Sequence, residues 1–150
     1  MKKAASLLLT LIAAGLGSPS VQAEAVCPPD QASHVRIGSQ RFSVEVAATE
    51  AERQLGLSGR PDLAADAGMW FVMPGPGHYA FWMRDMAFAI DLVWIDAEAR
   101  VLDAVRMAPC TVFDCPAFIP PGPASYVLEL NAGQFAGRPG DRVDWHCPAP

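Results

Sequence analysis

Lysine is almost missing from this 150-residue chain: the only two are Lys2 and Lys3, at its very start. The rest of the chain carries nine arginines against sixteen carboxylates, which leaves a net charge of −7 beyond those two residues. Nucleic acids and anionic membranes are bound mainly through clustered positive charge. The composition therefore argues against both as partners.

Sequence signatures of common chemistry are also missing. There is no G-x-G-x-x-G and no P-loop, so neither a dinucleotide nor a phosphate-binding loop is indicated. Ser58 lies in the segment GLSG (56–59), which lacks the G-x-S-x-G spacing of an exposed nucleophile. No two acids stand out as a glycosidase pair. We therefore name no catalytic residue and no cofactor.

A metal site has little support. Methionine and histidine suit copper, and the histidines are His34, His78 and His146. No tight Met-x-Met or His-x-x-x-His spacing accompanies them, and methionines in strands are more often core residues. We predict no metal.

The apolar run at residues 7–17 is too short to span a bilayer, which takes about 20 apolar residues. It follows Lys2 and Lys3 and ends near Pro19, which is typical of a secretory signal peptide over residues 1–23. A retained anchor is the alternative, and a lipidation site at Cys27 fits poorly. We expect a mature chain from Glu24, periplasmic or secreted, with one domain over 24–150 and no membrane span.

All four cysteines lie in the exported part, where an even number favours disulfides. Three pairings are possible. We prefer Cys110 with Cys115, which closes a short loop, and Cys27 with Cys147, which joins the chain ends. The alternative for Cys110 and Cys115 is a redox or metal pair, but four residues separate them instead of the usual two.

Short apolar runs separated by Gly, Pro or Asp predict about eight strands. The runs cover residues 35–37, 42–46, 69–73, 79–83, 90–95, 101–105, 126–130 and 142–145. Thr49 and Glu52 form a capping-box pattern that begins a short helix ending near Gly56. The fold class is therefore mainly β, a compact sandwich or partly closed barrel with one short helix. The proline-rich stretch 109–123 is expected to be an ordered loop.

The candidate site comes from two neighbouring segments, 81–85 and 90–96. Asp91 shares a strand face with Val93 and Ile95, so a buried carboxylate would need a partner, for which Arg84 and Arg60 are the nearest by type. One interpretation is a structural ion pair or a turn cap. The other is a ligand pocket, whose ligand-binding residues would be Tyr79, Trp82, Arg84 and Asp91.

Seven ordered blocks resemble the domain of unknown function 192 family. They are 53–60 (RQLGLSGR), 67–72 (AGMWFV), 81–83 (FWM) with Arg84, 91–96 (DLVWID), 109–116 (PCTVFDCP), 126–133 (YVLELNAG) and 140–143 (GDRV). The resemblance implies a compact, mainly β fold of sandwich character and no settled activity. The family usually has Lys-Asn-Thr where Arg84, Asp85 and Met86 stand here. Arg84 keeps the positive charge of the family's lysine, so a role that needs a cation near Trp82 is compatible with this sequence. A role that needs the amide of the family's asparagine or the hydroxyl of its threonine is not supported.

Our first hypothesis is an exported accessory or ligand-binding domain, with a pocket also bordered by the loop 110–115 and a small molecule or envelope component as ligand. The second is a hydrolase acting on the envelope through a cleft carboxylate such as Asp91, which requires a carboxylate of raised pKa. The third is a structural interaction domain, which requires an exposed apolar patch. Oligomeric state is left open.

Overall fold

The computed structural model describes residues 27–111 and 114–148. The predicted signal peptide, residues 1–23, and the expected new start at Glu24 lie outside these residues. Within them, no helix is long and apolar enough to cross a membrane.

The described residues form seven strands, one α-helix and one turn of 3-10 helix. The 3-10 turn is Pro29–Gln31, and α1 is Glu50–Leu55. The strands are β1 His34–Ile37, β2 Gln40–Ala47, β3 Ala67–Gly77, β4 Ile90–Ile95, β5 Val101–Met107, β6 Ala124–Asn131 and β7 Val143–His146. The prediction of a mainly β fold with one short helix is confirmed.

One predicted strand, residues 79–83, is wrong. Phe81 exchanges two backbone hydrogen bonds with Phe118, of 2.9 and 2.7 Å, but this is an isolated bridge. The segment runs across the sheet as part of the β3–β4 connection. Its alternating apolar residues, the partly buried Phe81 and the buried Met83, pack against one apolar layer of the sheet without belonging to a strand. A loop segment that packs on a sheet can therefore show the alternating apolar pattern of a strand.

All seven strands belong to one sheet, in the order β5-β4-β6-β3-β2-β1-β7. Pairing is antiparallel except between β2 and β3, which are parallel because α1 lies in the crossover between them. The two edges meet at one end, where the Val101 amide donates to the Asp141 carbonyl at 2.9 Å and the Val143 amide donates to the Ala99 carbonyl at 2.8 Å. The sheet is therefore a curled half-barrel, the partly closed alternative of the prediction.

Each face of the sheet has its own apolar layer, because successive side chains of a strand point to opposite sides. What we call the inner face receives residues from all seven strands, including Val35, Trp70 and Leu128. The outer face is built from β2 to β6 and is covered by the long connections, with Phe71 and Leu92 among its buried residues. Any cleft under those connections therefore lies on the outer face.

Helix α1 is capped as predicted. The Glu52 amide donates to Thr49 Oγ1 at 3.3 Å, and the Thr49 amide donates to Glu52 Oε2 at 2.8 Å. The helix ends at Gly56, whose φ of 51° is in the left-handed region that glycine adopts readily. Arg53 donates to the Val72 carbonyl at 3.0 Å and to the Ala48 carbonyl. These bonds fasten the helix beside β3.

The two disulfides have the preferred pairing. Cys27 is bonded to Cys147 across 120 residues of sequence, and Cys110 is bonded to Cys115 across five. No described cysteine is free. The long bridge lies beside Trp145, whose indole N–H donates to the Cys27 carbonyl at 2.8 Å. The first described residues are thereby tied to the last strand.

Candidate functional site

Asp91 is part of the framework on the inner face. Its side chain is buried, and its Oδ1 accepts a hydrogen bond of 2.9 Å from Arg106 Nε. Its Oδ2 accepts from the backbone amides of Gly133 at 2.7 Å and Phe135 at 3.0 Å. The carboxylate thus ties β4 to β5 and to the loop after β6.

Arg84 and Arg60 were the expected partners of Asp91, and that prediction is wrong. Arg106 lies directly opposite Asp91 in the β4–β5 ladder, and Arg60 instead pairs with Glu45. The pairing of β4 with β5 decides which arginine lies next to Asp91, and this pairing cannot be inferred from distance along the sequence. The first interpretation of Asp91, as a structural ion pair and turn cap, agrees with this geometry.

Replacing Asp91 by Asn should destabilise the fold by about 2 to 3 kcal/mol. An amide has one acceptor oxygen, whereas three donors converge on this carboxylate, so at least one donor loses its partner. Urea denaturation measures the change, with Asp62→Asn at an exposed loop position as the matched control. An Asp91→Asn midpoint equal to that of the control would contradict the framework role.

The other three predicted site residues lie together on the outer face. Tyr79 and Trp82 line one cleft, and the Tyr79 hydroxyl donates to the Gly75 carbonyl at 2.9 Å. The Arg84 guanidinium lies 5.6 Å from the centroid of the Trp82 ring, at the margin of this cleft. Asp91 is on the opposite face, because it pairs with Leu130 of the inner layer. A single pocket containing all four residues is therefore wrong.

The loop 110–115 was also expected to border this pocket. It borders a separate depression on the protein, which Met83, Ala108 and Phe118 line as well. Only Met83 comes from the segment that contains Trp82, and it does not line the cleft of Tyr79 and Trp82. The disulfide loop is thus not part of the candidate site.

The cleft of Tyr79 and Trp82 has a volume of about 200 Å³. One wall is the end of α1 and the turn that follows, the opposite wall is the segment from Tyr79 to Trp82, and the floor is the outer face of β3 and β6. Its lining residues are Arg53, Gln54, Leu55, Gly56, Leu57, Ser58, Phe71, Met73, Tyr79, Ala80, Phe81, Trp82, Met86 and Glu129. We call it the Glu129 cleft.

Glu129 is the unexpected residue of the cleft. It lies in β6 between Met69 of β3 and Leu92 of β4, and only 6% of its surface is exposed. Its Oε2 accepts no hydrogen bond from any described residue. A buried polar atom without a partner costs about 1 to 3 kcal/mol. The cleft therefore contains an unsatisfied acceptor.

Burial raises the pKa of the Glu129 carboxyl to about 8, because the charged form loses its hydration. The nearby positive charge of Arg60 opposes this increase only in part. Arg60 is already engaged by Glu45 through two bonds, of 2.6 and 2.8 Å, and this pairing lowers the pKa of Glu45. At neutral pH the Glu129 carboxyl is mostly protonated.

Gly56 lies beside Phe71 and Glu129 in the wall of the cleft. A Cβ at this position would lie 3.4 Å from Phe71 Cζ and 4.0 Å from Glu129 Oε2. Its positive φ also disfavours any other residue. The glycine that ends α1 therefore also shapes the cleft.

The sequence interpretation missed Glu129, although a signal was present. Residues 126–130 form an otherwise apolar run, and Glu129 alternates with the buried Leu128 and Leu130. A strand that is apolar on both faces belongs to the middle of a sheet, so a charge within it must be buried. That reasoning would have singled out Glu129 as well as Asp91.

No three described His, Cys, Asp or Glu side chains come close enough together to hold a metal ion. Glu129 is the only acid among the described residues that line the cleft. The arrangement offers aromatic walls, one buried carboxyl, the Arg53 guanidinium, the Gln54 amide and two hydroxyls, those of Ser58 and Tyr79. The Ser58 hydroxyl donates to the Arg84 carbonyl at 3.2 Å.

Comparison with known proteins agrees with the resemblance noted in the sequence. Residues 33–145 match the family DUF192, described as "Uncharacterized ACR". The chain belongs to the domain of unknown function 192 family. No curated protein matches it significantly.

Two solved structures are similar to this member of the domain of unknown function 192 family. A protein of unknown function from Novosphingobium aromaticivorans DSM 12444 is 31% identical with a TM-score of 0.68, over 88% of this chain and 100% of that one. A Sinorhizobium meliloti 1021 protein, described as a candidate transcription regulator, is 27% identical with a TM-score of 0.68. That match covers 75% of this chain and 92% of the other. The family description states no activity, so function has to be argued from the Glu129 cleft.

Proposed function

We propose that this protein is a small ligand-binding module that works outside the cytosol and holds its ligand in the Glu129 cleft. The carrying observation is the Glu129 carboxyl, buried in an open cleft with Oε2 unpaired among the described residues. Buried polar atoms normally have partners, and a ligand could supply the one that is missing here.

The size and rim of the cleft support a small ligand or the end of a larger one. A volume of about 200 Å³ is below the 300 to 1,000 Å³ usual for drug-sized ligands. Leu55 and Trp82 stand at the cleft with 63% and 51% of their surface exposed. The remainder of a larger molecule, such as an envelope component, could rest on these apolar side chains.

Export is supported by two features. The first 23 residues have the pattern of a signal peptide. The two disulfides suit an oxidising compartment such as the periplasm or the extracellular medium.

One relative is described as a candidate transcription regulator, but we do not extend that role to this chain. Nine arginines against sixteen carboxylates beyond Lys3 give no excess of positive charge for a phosphate backbone. We propose that nucleic acid is not the partner.

Replacing Trp82 by Ala should weaken ligand binding at least tenfold, because the exposed ring forms one wall of the cleft. A thermal-shift screen of the mature protein against sugars, cell-wall fragments, amino acids and amines would find ligands, and titration calorimetry would measure their affinity. Ile119→Ala, at a site 61% exposed and outside the cleft, is the matched control.

Equal affinities of the Trp82→Ala and Ile119→Ala variants would show that the ligand binds elsewhere. If no compound stabilises the protein, the binding function itself is contradicted.

A hydrolase is the second candidate, and the Glu129 pKa of about 8 is the observation that favours it. A carboxyl that keeps its proton at neutral pH can act as a general acid. A hydrolase would release product from a cell-wall fragment, and Glu129→Gln would abolish turnover while binding remained. We place binding first because no second acid lines the described cleft.

A further inference from the structure

The walls of the Glu129 cleft are rich in aromatic rings. Four aromatic side chains line it: Phe71, Tyr79, Phe81 and Trp82. Phe71 and Phe81 meet edge to face with centroids 5.3 Å apart. The faces of aromatic rings carry partial negative charge and attract cations, most strongly in sites shielded from water.

Trp82 already makes such a contact, since the Arg84 guanidinium carbon lies 5.6 Å from its ring centroid. Arg84 does not line the cleft. The exposed indole is thus able to accept a cation at this position, and other parts of the ring remain available to a ligand.

Besides Arg53 and Gln54, the polar side chains that line the cleft are Ser58, Tyr79 and Glu129, and each of these three can accept a hydrogen bond from a ligand. The Ser58 and Tyr79 hydroxyls use their protons on carbonyl oxygens, which leaves their oxygens as acceptors. Glu129 Oε2 has no partner among the described residues, and the carboxyl becomes a pure acceptor once it is ionised. Such a set fits a ligand that donates hydrogen bonds or carries positive charge.

Two cationic side chains lie near Glu129, and both are occupied. Arg60 is paired with Glu45 in two bonds, and Arg53, which lines the cleft, donates to the carbonyls of Val72 and Ala48. The strand neighbours of Glu129, Met69 and Leu92, are uncharged. No described cation forms an ion pair with Glu129.

We infer that the ligand class is an organic cation, a quaternary ammonium ion or a protonated amine, which rests against Trp82 and Phe81 and places its charge beside Glu129. This inference depends on the proposed binding function and specifies its ligand chemistry. The net negative charge of the chain would also attract such a ligand.

The proton balance of binding follows from the state of Glu129. In the free protein below about pH 8 the carboxyl holds a proton. A bound ammonium ion stabilises the carboxylate, so the O–H bond breaks and the proton passes to solvent. Binding at neutral pH therefore releases up to one proton, and affinity increases as the pH rises towards 8.

Choline and its neutral isostere 3,3-dimethylbutan-1-ol test this inference as a matched pair of probes. Calorimetry at pH 6, 7 and 8, in two buffers of different ionisation enthalpy, measures affinity and proton release. We expect choline affinity to increase about fifty-fold from pH 6 to pH 8, as a site with a pKa of about 8 requires. The alcohol should bind at least tenfold more weakly at pH 8.

Glu129→Gln is the matched protein variant, because its amide is similar in shape to the protonated carboxyl and cannot ionise. It should remove both the pH dependence and the preference for choline. If Glu129→Gln does not fold, Trp82→Leu provides the second variant, with an expected loss of choline affinity of at least tenfold.

Three results would overturn the inference. Equal affinities for choline and the alcohol would contradict a cation as the ligand class, while the proposed binding function would remain. Failure of both probes, with Trp82-dependent binding only of compounds that carry no positive charge, would do the same. If no compound of any class binds, the proposed function fails as well.

Discussion

Raising the pH from 4.5 to 9 should lower the free energy of unfolding by up to about 5 kcal/mol through Glu129 alone. Its pKa is about 8 in the folded protein and 4.5 as the ordinary value. Below pH 4.5 both states hold the proton, and the contribution of Glu129 to the stability is at its maximum. Between pH 4.5 and 8 the unfolded chain loses the proton while the folded one keeps it, so the stability falls. Above pH 8 both are ionised and the loss is complete.

Urea denaturation at several pH values, compared between the unmodified protein and Glu129→Gln, measures this contribution. The other titrating groups contribute equally to both proteins and cancel in the difference between their free energies of unfolding. The free energy of unfolding of Glu129→Gln should exceed that of the unmodified protein by an amount that increases as the pH rises to about 8. Glu98→Gln, at an exposed position, is the matched control and should leave the pH profile unchanged. Parallel profiles for the unmodified protein and Glu129→Gln would rule out an unpaired, buried carboxyl.

Removing the Cys27–Cys147 disulfide should cost about 4 to 5 kcal/mol of stability, as expected for a crosslink that closes a loop of roughly this length. The bridge spans 120 residues of sequence, so without it the unfolded chain gains much conformational freedom. Its loss would also release the segment whose contacts include Trp70 Nε1, which donates to the Pro29 carbonyl at 3.1 Å. The double variant Cys27→Ser with Cys147→Ser tests this by urea or thermal unfolding.

The second disulfide provides the matched comparison. Cys110 and Cys115 are only five residues apart, so the same entropy argument gives about 2 kcal/mol for their double serine variant. If removal of the short bridge costs as much as removal of the long one, loop length does not account for the stability that the disulfides provide.

Most of the fold was predictable because its signals are local. The hairpin of β1 and β2 turns at Gly38, with φ of 59°, between two alternating runs. The capping box at Thr49 and Glu52 is present as expected. The failure at residues 79–83 has a physical cause. Phe81 and Met83 pack against a sheet to which their segment does not belong, and alternation alone does not distinguish such packing from the burial of a strand within the sheet.

The candidate site was half predicted. Trp82 and Arg84 were selected from the sequence because they are an aromatic and a cationic residue close together in one segment. Their side chains lie together beside the cleft. Asp91 was chosen for being an acid in an apolar strand, and Glu129 satisfies the same criterion. Only their surroundings differ: Asp91 meets three donors, whereas Glu129 Oε2 meets none among the described residues.

The sequence by itself determined the family, the mainly β class, the capped helix and the favoured disulfide pairing. Each of these depends on residue type at short spacing or on blocks of matching order. Tertiary structure alone decided that the sheet curls, that Arg106 and not Arg84 satisfies Asp91, and that Glu129 lies beside Gly56 with no hydrogen-bond partner among the described residues. These are contacts between strands and loops distant in sequence, and a carboxyl's burial and pKa depend on which groups the fold brings to it.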